Sequence, residues 1–197
     1  MQLTRVLALL AFAVAGAGSP GPNNMLLLTS GVRFGFKRTV PHIAGTTIGI
    51  GTLIVAVAAG IGVAVITVPI TQTILKVAGS GYLLYLAYGL ARSSEISSAK
   101  LAAPLTLPRA IAFQFVNPKG WIFAIAIVGA FLPPSLEPAI GGLEIASLVG
   151  AVVVATAVVW ALGGAALNRL LRDDRSRRGV TAALAALMVG SVVLLWI

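Results

Sequence analysis

The chain has 197 residues, 58% of them hydrophobic and 10% charged, with a mean hydropathy of +1.02 and a formal net charge of +9. A soluble domain carries about 25% charged residues, so this composition cannot cover a water-exposed surface. It also argues against a disordered chain, which needs low hydrophobicity, and against a nucleic-acid binder, which gathers basic charge over a soluble face.

An integral membrane protein fits. At about 20 residues per transmembrane helix, the length predicts six spans with short loops. Lipid demands internally paired backbone, so helices are expected, and the segments are too continuously apolar for alternating barrel strands. Span one covers residues 6–30 and is interrupted at Ser19-Pro20-Gly21-Pro22. Its first part, 7–18, resembles a signal-peptide core, but the charged head is Arg5 alone and the apolar run resumes at Met25, so a retained helix is the preferred reading. Span two covers 40–66 and span three 74–91. Span four covers 110–131 and is interrupted at Asn117-Pro118-Lys119. Spans five and six cover 145–167 and 180–197. With no cysteine there is no disulfide framework, thiolate metal site or cysteine nucleophile, and neither a metal nor a cofactor is expected.

Charge sets the orientation. Loop one holds Arg33, Lys37 and Arg38; loop three holds Arg92, Lys100 and Arg109; loop five holds Arg169, Arg172, Arg175, Arg177 and Arg178. These are eleven of the fourteen basic residues. The positive-inside rule places all three loops in the cytoplasm and both termini outside, as an even number of spans requires. The arginines are read as topogenic and lipid-facing.

The two halves repeat weakly at an offset of 97 residues: Pro20 falls on Asn117, Gly21 on Pro118, Pro41 on Pro138 and Gly45 on Gly142. Three spans per half is odd, so the halves must be inverted, a common transporter plan. The expected fold is therefore an all-α polytopic membrane protein of two inverted three-helix repeats, about 1–91 and 105–197, in one transporter domain, with spans one and four broken.

The breaks carry the chemistry. Pro20, Pro22 and Pro118 each remove an amide donor and clash with the preceding turn, and both breaks fall near mid-membrane. Paired interruptions in corresponding spans point to a binding site at the repeat interface. Ser19 is expected to cap the second half-helix, with Pro20 at its first position. The free amides there, including that of Gly21, favour a carboxylate. Asn23, Asn24, Gln114 and Asn117 add donors and acceptors, with Gln114 and Asn117 on one helix face. Lys119 is the one charge deep in a span, and such a residue is a functional-site hypothesis by default. It either pairs with a substrate carboxylate or closes the carbonyls freed by Pro118.

Pro20-Gly21-Pro22-Asn23-Asn24-Met25, followed by residues 35–42 (GFKRTVPH), resembles the lysine-exporter (LysE) superfamily. The likeness is narrower to the homoserine/threonine (RhtB) branch, which includes cysteine/O-acetylserine exporters. Residues 81–88 (GYLLYLAY) and 114–119 (QFVNPK) are similar to later motifs of that family. The resemblance implies a bacterial inner-membrane exporter of amino acids or their derivatives, driven by the proton gradient, and leaves the cargo open.

No Asp or Glu lies inside a span, which departs from the usual carboxylate relay of a pump and disfavours lysine or arginine as cargo. A neutral or small polar amino acid is expected. His42 titrates near neutral pH and is assigned to proton coupling, against the plainer reading of an interfacial histidine in a loop-to-helix turn. Gly45-x-x-x-Gly49 and Gly142-x-x-x-Ala146-x-x-x-Gly150 are read as packing faces between the halves or between protomers, and a homodimer stands as an alternative to a monomer. Tyr82 and Tyr85 are packing residues, with lining of the path as the alternative. Two rivals remain: an intramembrane serine hydrolase using Ser80 and His42, whose expected depths differ too much for a hydrogen bond, and a structural membrane subunit, which would not need matched breaks. Partners are expected to be the substrate and the bilayer, with no nucleic acid.

Overall fold

In a computed structural model, the described residues are 2–62, 67–91, 103–133, 135–170, 174–194 and 196. They form helices without strands: α1 (Leu3–Gly18), α2 (Pro22–Ala58), α3 (Pro69–Ala91), α4 (Leu107–Val116), α5 (Pro118–Phe131), α6 (Pro138–Leu170) and α7 (Asp174–Leu194). By length and composition, α2 and α6 can each cross a membrane, and α4 with α5, bent by 73° at Asn117, make a third candidate. Large apolar side chains point outward on several helices, among them Val159, Ile122 and Ile74, each more than half exposed. That pattern suits lipid, where apolar exposure costs nothing.

The expected loop one is absent as a loop. α2 reverses within itself at a single residue, Gly35 (φ 75°, ψ 169°), a left-handed conformation that glycine adopts without the Cβ penalty. Its limbs, 22–34 and 36–58, run back along each other. The Ser30 and Thr39 hydroxyls pair at 2.8 Å near the fold, and Thr46 Oγ1 donates to Asn23 Oδ1 at 3.1 Å further along. The helix expected as span two thus begins just after Gly35 rather than at Val40, and Pro41-His42 lie inside it rather than in a turn leading to it. Arg92, Glu95, Lys100, Arg172 and Asp173 lie outside the described residues, as do the side chains of Asp174, Arg175, Arg177 and Arg178.

α6 packs most closely on α2. Gly31 faces the Ala161 carbonyl, and Gly164 faces the Leu28 carbonyl, with no room for a Cβ at either position. Such close approach is how membrane helices gain dispersion without a hydrophobic driving force. Gly45 and Gly49 meet α4, at Leu107, Ala110 and Gln114, while Gly142 meets Ala58. These small residues pack helices within the chain. Leu9, Leu53, Ile54, Ala124, Ile127, Ile145 and Val149 form the main core, binding α1, the second limb of α2, α5 and α6. Glu137 caps α6, accepting from the Ala139 and Ile140 amides at 3.1 and 3.0 Å.

These contacts give the bundle two distinct ends. Arg33, Lys37 and Arg38 flank the Gly35 fold. The α2–α6 packing brings Arg169 to the same end, and Arg109 shares a cleft there with Arg33. At the other end, Arg5 Nη2 donates to the Leu132 carbonyl at 3.3 Å, near Glu137. The described basic residues at helix ends are therefore strongly polarised.

Candidate functional site

The chain breaks twice. α1 stops at Gly18, and Ser19 is its C-terminal cap (φ −64°, ψ 148°). Pro20 and an extended Gly21 (φ 175°, ψ 176°) follow, and α2 starts with Pro22 in its first turn. Ser19 therefore closes the first half-helix instead of capping the second, and Gly21 takes the N-cap position. The reason is local: Pro22, not Pro20, supplies the preset φ at the start of the new helix, where a missing amide costs nothing. At the second break one residue, Asn117 (φ −90°, ψ 104°), ends α4 and starts α5 at Pro118.

A broken helix exposes carbonyls that lipid cannot satisfy, and here side chains answer each in turn. Ser19 Oγ donates to Gly16 O at 2.9 Å. Asn24 Nδ2 donates to Ala17 O at 2.7 Å and to Ser19 O at 2.9 Å. Trp160 Nε1, from α6, donates to Gly18 O at 3.2 Å. Lys119 Nζ crosses from the second break and donates to Ser19 O at 2.8 Å, Ser19 Oγ at 2.8 Å and Pro20 O at 3.1 Å. Three oxygen acceptors match the three protons of an ammonium group, and the C-terminal end of α1 favours positive charge. Lys119 does close free carbonyls, but those of the first break rather than the ones left by Pro118.

Behind this clasp lies an amide chain whose orientation the partners dictate. Gln114 Nε2 donates to Asn23 Oδ1 at 2.9 Å and to the Ala110 carbonyl at 3.4 Å, so its oxygen must face Asn117. Asn117 Nδ2 then donates to Gln114 Oε1 at 3.4 Å. That leaves Asn117 Oδ1, on a side chain only 3% exposed, without a hydrogen-bond partner among the described residues. These groups surround a cavity of about 50 Å³ whose lining includes Gly21, Asn23, Asn24, Gln114, Asn117 and Lys119. That volume holds a few waters or a carboxylate-sized group. Thus six of the predicted residues come together. Ser19 stands outside the lining, with its oxygens engaged by Lys119 and Asn24. Pro22 and Pro118 are buried at the helix starts, and Pro20 is exposed. Thr46, Thr156 and Phe123 also line the cavity; no motif marked them, since each sits mid-helix in an apolar run.

His42 is elsewhere. It is 1% exposed, and neither ring nitrogen has a hydrogen-bond partner among the described residues. It lines a second, larger cleft of about 630 Å³ together with Arg33, Tyr82, Tyr85 and Arg109. It lies buried within α2 rather than in an exposed loop-to-helix turn after Pro41. Ser80 Oγ accepts from Trp196 Nε1 at 3.0 Å and is not paired with His42, so the serine hydrolase constellation is not formed.

The description "LysE type translocator" fits a family model that matches residues 14–197. The chain belongs to the LysE translocator family. It is 27% identical over 185 residues to the cysteine/O-acetylserine efflux proteins of Escherichia coli strain K12 and Shigella sonnei strain Ss046, covering 93% of this chain and 94% of each relative. The protein of the same name from Shigella flexneri is 27% identical over 174 residues, covering 88% and 89%. No solved structure matches the chain. As a LysE translocator the protein is a transporter and not an enzyme.

Proposed function

We propose that this LysE translocator exports small neutral amino acids or their derivatives, such as cysteine or O-acetylserine, across the bacterial inner membrane. The observation that carries this reading is the pair of helix breaks held face to face by Lys119 around a polar cavity. The breaks belong to corresponding segments of two inverted three-helix halves, and transport proceeds by rocking of one half against the other. Six spans follow if α1 with the first limb of α2, the second limb, α3, α4 with α5, α6 and α7 each cross once. The Gly35 end, rich in arginine and lysine, faces the cytoplasm.

In the site, the substrate carboxylate binds at the start of α2, where the Asn23 and Asn24 amides lie in the first turn after Pro22 and the helix end favours negative charge. Asn117 Oδ1, unpartnered and buried, accepts from the substrate ammonium. No acidic side chain among the described residues lines the cavity, so a side-chain cation would lack a partner there, which favours neutral cargo. His42 is assigned to proton coupling. Each charge crossing 100 mV supplies about 2.3 kcal/mol, enough to drive uphill export.

The test is flux in proteoliposomes loaded with single amino acids. O-acetylserine and cysteine should leave at least tenfold faster than lysine or arginine, and a protonophore should stop net export. Lysine or arginine efflux at equal rate would overturn the neutral-cargo reading. Export that survives collapse of the gradient would overturn proton coupling.

A further inference from the structure

The larger cleft is not explained by the site at the breaks. It lies at the Gly35 end, and its polar lining includes Thr29, Ser30, Arg33, His42, Tyr82 and Arg109. Two guanidinium groups line it, and its lining among the described residues includes no carboxylate. Its volume, about 630 Å³, is in the range of small-molecule sites and exceeds what a small amino acid fills. The decisive feature is His42. An imidazole offers one donor and one acceptor even when neutral, and a buried polar group ordinarily finds partners. This one is 1% exposed, neither nitrogen has a partner among the described residues, and it faces the cleft. The cleft also adjoins the cavity at the breaks. His42 and Thr46 are one turn apart on α2, about 6 Å along the axis, and they line the cleft and the cavity respectively.

We propose that this cleft is a second substrate site, a vestibule in which Arg33 and Arg109 hold the amino-acid carboxylate while the His42 ring hydrogen-bonds the same molecule, before it passes to the breaks. Arginine suits this role because its fork matches a carboxylate bidentately. The anionic headgroup of a lipid offers similar chemistry, so the two sources must be separated. Only the direction of passage rests on the export reading; occupancy of the cleft does not.

His42 is the only histidine in the chain, so ring-labelled protein in nanodiscs gives a single set of imidazole NMR signals. In nanodiscs of phosphatidylcholine alone, millimolar O-acetylserine, cysteine or alanine should shift those signals saturably. Ethylamine, which lacks the carboxylate, should not. The double variant Arg33→Gln/Arg109→Gln should weaken the response at least tenfold, and Arg33→Lys/Arg109→Lys should restore much of it. In flux assays the Gln variant should raise the cytoplasmic-side KM at least fivefold with kcat changed less than twofold. No amino-acid response of the wild-type signals, an equal response to ethylamine, or a response to added phosphatidylglycerol alone overturns the vestibule. The wild-type titration stands even if the variants do not fold. Saturable shifts in a protein that moves no amino acid would leave the vestibule standing and sink export instead.

Discussion

Replacing Lys119 with methionine is expected to reduce export at least a hundredfold while leaving the protein inserted in the membrane. Methionine keeps most of the stem and its packing against Gly21, where a Cβ would have to push the end of the lysine chain aside. What it loses is the ammonium group that bonds Ser19 O, Ser19 Oγ and Pro20 O. Asn24 still satisfies Ser19 O, but the exposed Pro20 O loses its bond from Lys119. Charge-assisted bonds contribute about 1.5–3 kcal/mol each in soluble proteins, and polar bonds between membrane helices average less. A stability loss of about 1–3 kcal/mol is therefore expected, read as a lower midpoint in thermal unfolding in detergent. The transport loss should be much larger than this, because Lys119 joins the two breaks and its charge lies beside the cavity proposed to bind the carboxylate. Arginine at 119 should not rescue, since a planar fork cannot direct three protons at three clustered oxygens. Full flux in Lys119→Met, measured at matched protein content, would remove Lys119 from the mechanism.

The second large effect is on folding. Gly31→Ala or Gly164→Ala places a methyl group against a backbone carbonyl of the facing helix, Ala161 O in one case and Leu28 O in the other. A carbonyl cannot rotate aside as a side chain does, so α2 and α6 must separate along their shared length. Overpacking in soluble cores costs about 1–3 kcal/mol. Here the helices also lose dispersion contacts that no hydrophobic effect replaces, so the cost should be at the upper end. Each variant should yield well under half the wild-type amount of monodisperse protein. Gly150→Ala is the control: its added methyl would sit 3.7 Å from Thr47 Cγ2, ordinary contact, and should be neutral.

Both results turn on features with different visibility in the sequence. The prolines were legible because their effect is local: a missing amide and a ring clash act wherever the ring sits, and the helices do break at Pro20–Pro22 and Pro118. Asn23, Asn24, Gln114 and Asn117 were legible as a group because polar residues in apolar spans need partners. Ser19 was misplaced because Pro20 and Pro22 can each open a helix, and only the three-dimensional path shows that Pro22 does. The loop at 31–39 was misjudged for a similar reason. Its three basic residues look like a solvent-exposed linker, yet one glycine suffices for reversal, and Thr39 and Ser30 bond across it.

Lys119 shows the limit most clearly. Its depth and charge marked it, but its partners lie about 100 residues earlier in the chain, and no local rule connects them. Gly31 forms a Gly-x-x-x-Gly pair with Gly35 that was passed over, while Gly164 has Trp160 and Asn168 four positions away and no such spacing to mark it. His42 was read from its position beside a proline at the end of a span, whereas its burial depends on the fold-back of α2 and on the helices packed around it.

The claim that ties these observations together is that the cavity between the two breaks is where substrate binds. The chain has no cysteine, so a single one introduced by Thr156→Cys, in the cavity lining, can be followed without background. Its rate of modification by a small charged thiol reagent should be measured in proteoliposomes with and without millimolar O-acetylserine, in a variant first shown to transport. Protection of at least fivefold, saturating at the concentration that half-saturates flux, is the expected result. An unchanged modification rate in a variant that still exports O-acetylserine would contradict it and place the substrate elsewhere in the bundle.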